Sequence, residues 1–231
     1  MYLKDVRFAS FLPVAALALA IANFLQFFST STGQISLTGV FSDVPLHHPN
    51  IEAIDYLAEK NLVSGYPDGT FQPERLINRA ELTKIVTGSV YGSLDIENCL
   101  NTISSSDLYA PNLLFSDTAL HHWFSKYVCI AKLNRFIGGY PDGTFRPDIT
   151  INFAEAAKIL SLGFQIETSR TNDSNPWYRG YVQDIANENA IPLSIQRFDQ
   201  SITRGEMAEM IYRLDANLRT LPSRTYDEID I

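Results

Sequence analysis

Apolar residues recur every three or four positions along the chain, always as two short series separated by a polar stretch. Ile51, Ile54, Leu57 and Ala58 share one helical face, as do Phe124, Val128 and Ala131, and again Tyr178, Val182 and Ile185. A second series follows each of these: Leu82, Ile85, Val86 and Ser89; Ala156, Ile159, Leu160 and Phe164; Met207, Met210, Ile211 and Leu214. Asn78, Asn152 and Thr203 stand three residues before Glu81, Glu155 and Glu206, which is capping-box spacing for the start of each second helix. Gly65 and Gly139 fall where a first helix should end, and are expected to supply the left-handed residue of its C-terminal cap. In the Pro-Asp-Gly that follows, proline presets φ, Asp68 or Asp142 caps, and the glycine accepts positive φ. The pattern predicts a mainly α protein made of three units, each a helix, a turn and a capped helix.

The units are copies of one another. Gly65-Tyr66-Pro67-Asp68-Gly69-Thr70-Phe71 recurs unchanged from Gly139 to Phe145, 74 positions later. The same offset aligns Phe41-Ser42-Asp43 with Phe115-Ser116-Asp117, His47-His48 with His121-His122, and Ile77–Glu81 with Ile151–Glu155. A worn third copy matches Trp177 to Trp123 and Ile202–Glu206 to Ile151–Glu155, with Pro192-Leu193-Ser194 in place of the glycine-rich loop. A single unit cannot bury its apolar face alone, so the copies should close into one body. The expected layout is 41–92, 115–165 and 174–217 for the units, the last degenerate. An insert at 93–114 carries apolar residues but few helical cues, and a flexible tail is expected at 218–231.

Ahead of the first unit, Lys4 and Arg7 precede a run from Phe8 to Phe28 without a charge. A basic flank before an apolar run is the layout of a secretory signal, and the run is also long enough to span a bilayer as a helix. Cleaved signal (1–28) and retained membrane anchor (through 8–28) both stay open, and either exports everything after about Ser29. The 26 acidic side chains against 18 basic ones give a net charge of −8. That balance argues against nucleic-acid binding.

At this point the motifs resemble a known family. Phe41-Ser42-Asp43-Val44, His122-Trp123 before a first helix, Gly-Tyr-Pro-Asp-Gly-Thr-Phe-x-Pro, and Ile-Asn-Arg-Ala-Glu or Ile-Thr-Arg-Gly-Glu are similar to S-layer homology repeats over roughly Phe41 to Asn217. The resemblance implies one pseudo-threefold body of three repeats whose grooves bind an anionic cell-wall polysaccharide bearing pyruvate ketals, or a similar envelope glycan. It implies Arg79 and Arg204 as the chief anion contacts, with Gly65, Asp68, Gly139 and Asp142 of the turns and Trp123 and Trp177 beside them. Physics supports the arginines independently. They open their helices beside N–H groups expected to lack partners, where the helix dipole favours an anion and a guanidinium grips a carboxylate with two bonds. Trp123 and Trp177 read first as packing residues that close a unit, and second as sugar-stacking platforms.

Read unit by unit, the second copy has Phe153 at the arginine position and so a dead or packing-only site. The first copy has the arginine and the turn but Pro49 in place of tryptophan. The capping glutamates read as structural, and the paired histidines lack the acidic or thiol partners of a metal site, so neither metal nor cofactor is expected. No nucleophile triad, Cys-His pair or phosphate loop appears. The expected protein is a non-catalytic anchoring module at the cell surface or cell wall. The alternatives are a structural adaptor packing on another surface protein and, third, a glycan-processing enzyme using Glu81 and Glu206. Export also predicts that the two cysteines, Cys99 and Cys129, form a disulfide pinning the insert to the second unit.

Overall fold

Three capping boxes start the three principal helices. In the computed structural model, which describes residues 39–104, 114–166 and 176–230, the Asn78 side chain accepts the Glu81 N–H at 2.8 Å while the Glu81 carboxylate accepts the Asn78 N–H at 3.1 Å. The same reciprocal pair joins Asn152 to Glu155 and Thr203 to Glu206. Each cap contributes about 1 kcal/mol. Seven α-helices follow in order among the described residues: α1 Ile51–Glu59, α2 Arg79–Val90, α3 Ser93–Ser104, α4 Ser125–Leu133, α5 Phe153–Gly163, α6 Arg179–Asn187 and α7 Arg204–Asp215. The fold is mainly α, and among the described residues only isolated bridges join extended residues. The predicted apolar faces point inward: Ile54, Leu57, Val128, Ala131, Val182 and Ile185 of the first helices are buried, as are Leu82, Val86, Ala156, Leu160, Met207 and Ile211 of the second.

The first helix of each pair packs on the second helix of another, and α4 packs on α3 as well. α1 lies on α7, α4 on α2 and α6 on α5. At the centre, Ile77, Ile151 and Ile202, each one residue before a cap, are wholly buried. They close a ring of three backbone hydrogen bonds. Ile77 N–H donates to the Ile202 carbonyl at 3.1 Å, Ile202 N–H to Ile151 at 3.1 Å, and Ile151 N–H to Ile77 at 3.2 Å. The helix starts continue this exchange. Arg79, Phe153 and Arg204 donate their N–H groups to the carbonyls of Ile149, Gln200 and Arg75, and Ala80, Ala154 and Gly205 donate to Pro147, Phe198 and Pro73. The N–H groups expected to be unpaired beside Arg79 and Arg204 are therefore all used, two by a neighbouring segment and the third by the cap. A buried helix start cannot leave them open.

The turn before each arginine's target is held from the Phe-Ser-Asp segment. Asp43 accepts the N–H groups of Phe71 and Gln72, both at 2.7 Å, and Asp117 accepts those of Phe145 and Arg146 at the same distances. Gly69 and Gly143 take φ of +80° and +79° as expected. Gly65 differs from its expected role. The left-handed residues after α1, α4 and α6 are Asn61, Arg135 and Asn189, and Gly65 is needed for close approach instead. A Cβ there would stand 2.6 Å from both the Phe41 ring and the Thr70 carbonyl. Gly139 combines both needs, with φ +70° and a Cβ position 2.2 Å from the Phe115 ring.

Two segments are more ordered than their sequence suggests. Much of the insert is the helix α3, whose Ile96 and Cys99 pack with Cys129 and Ile130 of α4 in a small satellite cluster. Cys99 and Cys129 form a disulfide. The tail expected to be flexible is tied to the third helix pair: Arg224 N–H donates to Ile191, Asp230 N–H to Gln196, and Phe198 N–H to Asp230. Ile229 is buried, and Tyr226 lies 5.1 Å from Phe198. The N-terminal segment 1–28, with its apolar run 8–28, lies outside the described residues, as do 105–113 of the insert and 167–175 ahead of the third pair. Among the described residues no helix is long and apolar enough to cross a membrane.

Two measurements check this account. Gly65→Ala should lose about 1–3 kcal/mol in urea unfolding, as expected for overpacking, although its φ is not left-handed. Reduction of the Cys99–Cys129 bridge, which closes a separation of 30 residues, should lose about 3–4 kcal/mol by the same assay, and alkylation without reductant should leave the intact mass unchanged.

Candidate functional site: two grooves between helix pairs

The arginine at each helix start reaches across to another unit's turn. Arg204 is 6% exposed and donates from Nε to the Phe71 carbonyl at 2.9 Å, with its guanidinium 4.5 Å from the Phe71 ring centre and 5.2 Å from that of Tyr66. Arg79 repeats this on the next turn. It is 7% exposed, donates from Nε to the Phe145 carbonyl at 3.0 Å, and lies 5.0 Å from the Tyr140 ring. Burial pulls both guanidinium pKa values down, and Tyr66 with Glu81, or Tyr140 with Glu155, offsets the loss. An arginine nevertheless stays charged. These side chains are as much a clamp between units as a binding group.

Each clamp forms the floor of a groove, and the two grooves correspond position for position. The first, of about 240 Å³, is lined by Gly65, Tyr66, Glu81, Lys84, Trp123 and Arg204 among others. The second, of about 190 Å³, is lined by Gly139, Tyr140, Glu155, Lys158, Trp177 and Arg79. Three chain segments distant in sequence thus meet in each groove. The turn and lysine come from one unit, the tryptophan from the segment just before the next first helix, and the arginine from a third place. This corrects the unit-by-unit expectation. The turn at Gly139 is served by Arg79, so Phe153 does not disable it, and the turn at Gly65 has its tryptophan in Trp123, so Pro49 does not impoverish it.

The third junction between helix pairs lacks this set of residues. Phe153 is wholly buried and its N–H reaches Gln200 in the third unit's loop, the loop that lacks the Gly-Tyr-Pro-Asp-Gly turn. Glu209 stands where the other copies have Lys84 and Lys158, and its carboxylate accepts from Asn50 at 2.6 Å and pairs with Arg213. Arginine, turn and lysine disappear together at the third position.

Of the residues expected to contact ligand, Arg79, Arg204, Gly65, Gly139, Trp123 and Trp177 line the grooves, and Asp68 and Asp142 are not among the lining residues. Asp68 accepts the Thr70 N–H at 3.0 Å and its hydroxyl at 2.6 Å. Asp142 does the same with Thr144 and pairs with Arg146 at 2.9 Å. The Thr144 hydroxyl, followed by Arg146, holds the Asp142 carboxyl down at about 2. The tryptophans are not closing residues, because they remain 55% and 52% exposed at the groove edge. Sequence reading missed Lys84 and Lys158, three positions past each capping glutamate. The 74-residue offset matches them, but so does it match many surface residues. Burial and then Arg204 lower the Lys84 pKa, while Lys158 lies 5.6 Å from the Trp177 ring centre. His48 serves a helix start, with Nδ1 accepting the Asn50 N–H at 3.1 Å.

Comparison with known proteins places this geometry in context. The S-layer homology domain matches residues 40–83 and 114–157. A cellulosome-anchoring protein of Acetivibrio thermocellus is 31% identical over 157 residues, 65% of this chain and 31% of the relative. The middle cell wall protein of Brevibacillus brevis is 24% identical over 199 residues, 85% of this chain and 17% of its own. An S-layer protein of Bacillus licheniformis is 31% identical over 127 residues, 55% and 13% respectively. The chain spans less than a third of the length of each. The clamp can be tested without ligand: Arg79→Lys and Arg204→Lys should each lose about 1–3 kcal/mol in urea unfolding, because an ammonium cannot keep the Nε bond and the flat ring contact together.

Proposed function

We propose that this chain, which carries S-layer homology domains at residues 40–83 and 114–157, is a non-catalytic anchoring module that holds an acidic envelope glycan in its two grooves. The third helix pair acts in this reading as a third, degenerate repeat that supplies Arg204 to one groove and Trp177 to the other. The observation that carries the proposal is the repeated set of a buried arginine, a lysine and a half-exposed tryptophan on a protein of net charge −8. Cation and aromatic face side by side suit a sugar bearing a carboxylate: the ring stacks, and the acid meets the charges. With an overall negative field, attraction is local and long-range steering is absent. A pyruvate-ketal polysaccharide of the cell wall fits this chemistry. The relatives, named for cellulosome anchoring, the cell wall and the S-layer, support a place at the cell surface.

Co-sedimentation with isolated cell-wall polysaccharide checks this. Lys84→Gln and Lys158→Gln should each weaken binding by about tenfold per groove, and the double variant should abolish it while leaving the unfolding midpoint nearly unchanged. Stripping ketal carboxylates from the polymer should have the same effect as the double variant. Full binding to stripped polymer would refute the anion-groove reading. Binding to a surface protein in place of glycan would favour an adaptor.

A further inference from the structure

Trp177 borders more than the Gly139–Tyr140 groove. It also lines a separate cavity of about 270 Å³, together with Asn152, Ala154, Tyr178, Phe198 and Asp199. Trp177 is the one residue that lines both, so its half-exposed indole is a wall common to two neighbouring hollows.

The cavity is built where the third helix pair departs from the second. Ala80 N–H donates to the Pro147 carbonyl, whereas Ala154 N–H donates to that of Phe198. A phenylalanine therefore stands where the equivalent segment has a proline. Tyr178 likewise follows Trp177 where Phe124 follows Trp123. The Tyr178 and Phe198 rings lie 4.8 Å apart, and Trp177 meets Tyr178 edge-on at 5.6 Å. Behind them, Tyr226 of the packed tail holds Phe198 at 5.1 Å. The aromatic wall is fixed by the fold.

Two polar side chains complete the lining. The Asn152 amide oxygen accepts the Glu155 N–H at 2.9 Å, and its amide nitrogen has no acceptor among the described residues. Asp199 accepts from Arg197 Nε at 2.8 Å and Nη2 at 2.6 Å, and these bonds hold its carboxyl below the usual carboxylate range. A carboxylate has about four acceptor positions, so Asp199 can still take a hydroxyl. The charge balance is opposite to that of the groove. Asp199 is the only charged residue lining the cavity, while Arg79 and Lys158 line the groove. An anion is disfavoured here. Aromatic faces beside one free donor and one free acceptor suit an uncharged ring bearing neighbouring hydroxyls.

We propose that this cavity is a second sugar subsite, which takes a neutral hexose adjacent along the glycan to the acidic residue in the Gly139–Tyr140 groove. Trp177 contacts both residues, and Asp199 and Asn152 bond the hydroxyls of the neutral one. The proposal rests on the glycan-binding reading and deepens it, because it makes the second groove a reader of two consecutive sugars.

Full-length Trp123→Phe leaves Trp177 as the single tryptophan, and its fluorescence reads the groove and the cavity together. It would be titrated with one-residue and two-residue fragments of isolated cell-wall polysaccharide, both retaining the ketal carboxylate. The two-residue fragment should bind about tenfold more tightly. Adding Asp199→Ala should bring the two affinities within about twofold of each other while leaving that for the one-residue fragment unchanged to about twofold. General loss of structure would not spare the shorter fragment, and the Arg197 pair removed is exposed and contributes little to stability. Equal affinities before Asp199→Ala, or an advantage that survives it, overturn the subsite and leave the glycan reading standing. A Trp177 signal silent to both fragments also overturns the subsite. If Trp123 in full-length Trp177→Phe is silent as well, the glycan reading falls with it.

Discussion

Three backbone hydrogen bonds around Ile77, Ile151 and Ile202 hold the architecture together. Each of these isoleucines is extended, buried and one residue ahead of a capped helix, so each must find partners for its N–H and carbonyl away from water. The ring solves that requirement for all three at once, and it closes only with three members. It sets the rotation between helix pairs. It also delivers the next two N–H groups of each helix start to the segment before a neighbour's helix. From that point the arginines have no choice of target: Arg79 lands on the Phe145 carbonyl and Arg204 on that of Phe71.

Because the units exchange parts, their sequence degeneration follows a spatial logic. A phenylalanine in place of an arginine in the second copy and a missing glycine turn in the third look like separate losses. In the folded protein the two positions meet, since the Phe153 N–H donates to the Gln200 carbonyl in the loop before α7. An arginine buried there without the Tyr-Pro-Asp-Gly turn would lack the ring and carbonyl that compensate its desolvation. The lysine position changed with them, to Glu209, whose carboxylate now holds Asn50 and Arg213. Two grooves stay intact because their contributors come from all three pairs.

The grooves concentrate cations on an acidic protein without leaving them to repel freely. The guanidinium groups lie against the faces of Tyr66, Phe71, Tyr140 and Phe145 and bond to carbonyls, so the fold itself supports their charge. Half-exposed tryptophans at the rim complete surfaces suited to a ring that carries an acid. The disulfide and α3 brace α4, the helix that follows Trp123.

Much of this was written in the chain. The Asn/Thr–Glu spacing marked the three helix starts, the 3.6-residue periodicity marked the buried faces, and the 74-residue repeat marked a closed body, because these are local or periodic properties. The cysteine pair followed from the expectation of export and from the count of two. The helix in the insert and the packed tail were not legible. α3 is held by a small cluster around a disulfide, and the tail by carbonyls of Ile191 and Gln196, neither of which has a local signature. Which residues share a groove was also decided by tertiary structure alone. Arg204 and Phe71 are 133 positions apart, and Arg79 and Phe145 are 66. Sequence proximity suggested that each arginine serves its own turn. The isoleucine ring rotates it onto another's, because buried backbone groups must pair wherever a partner lies, and the nearest partner in space belongs to a different copy.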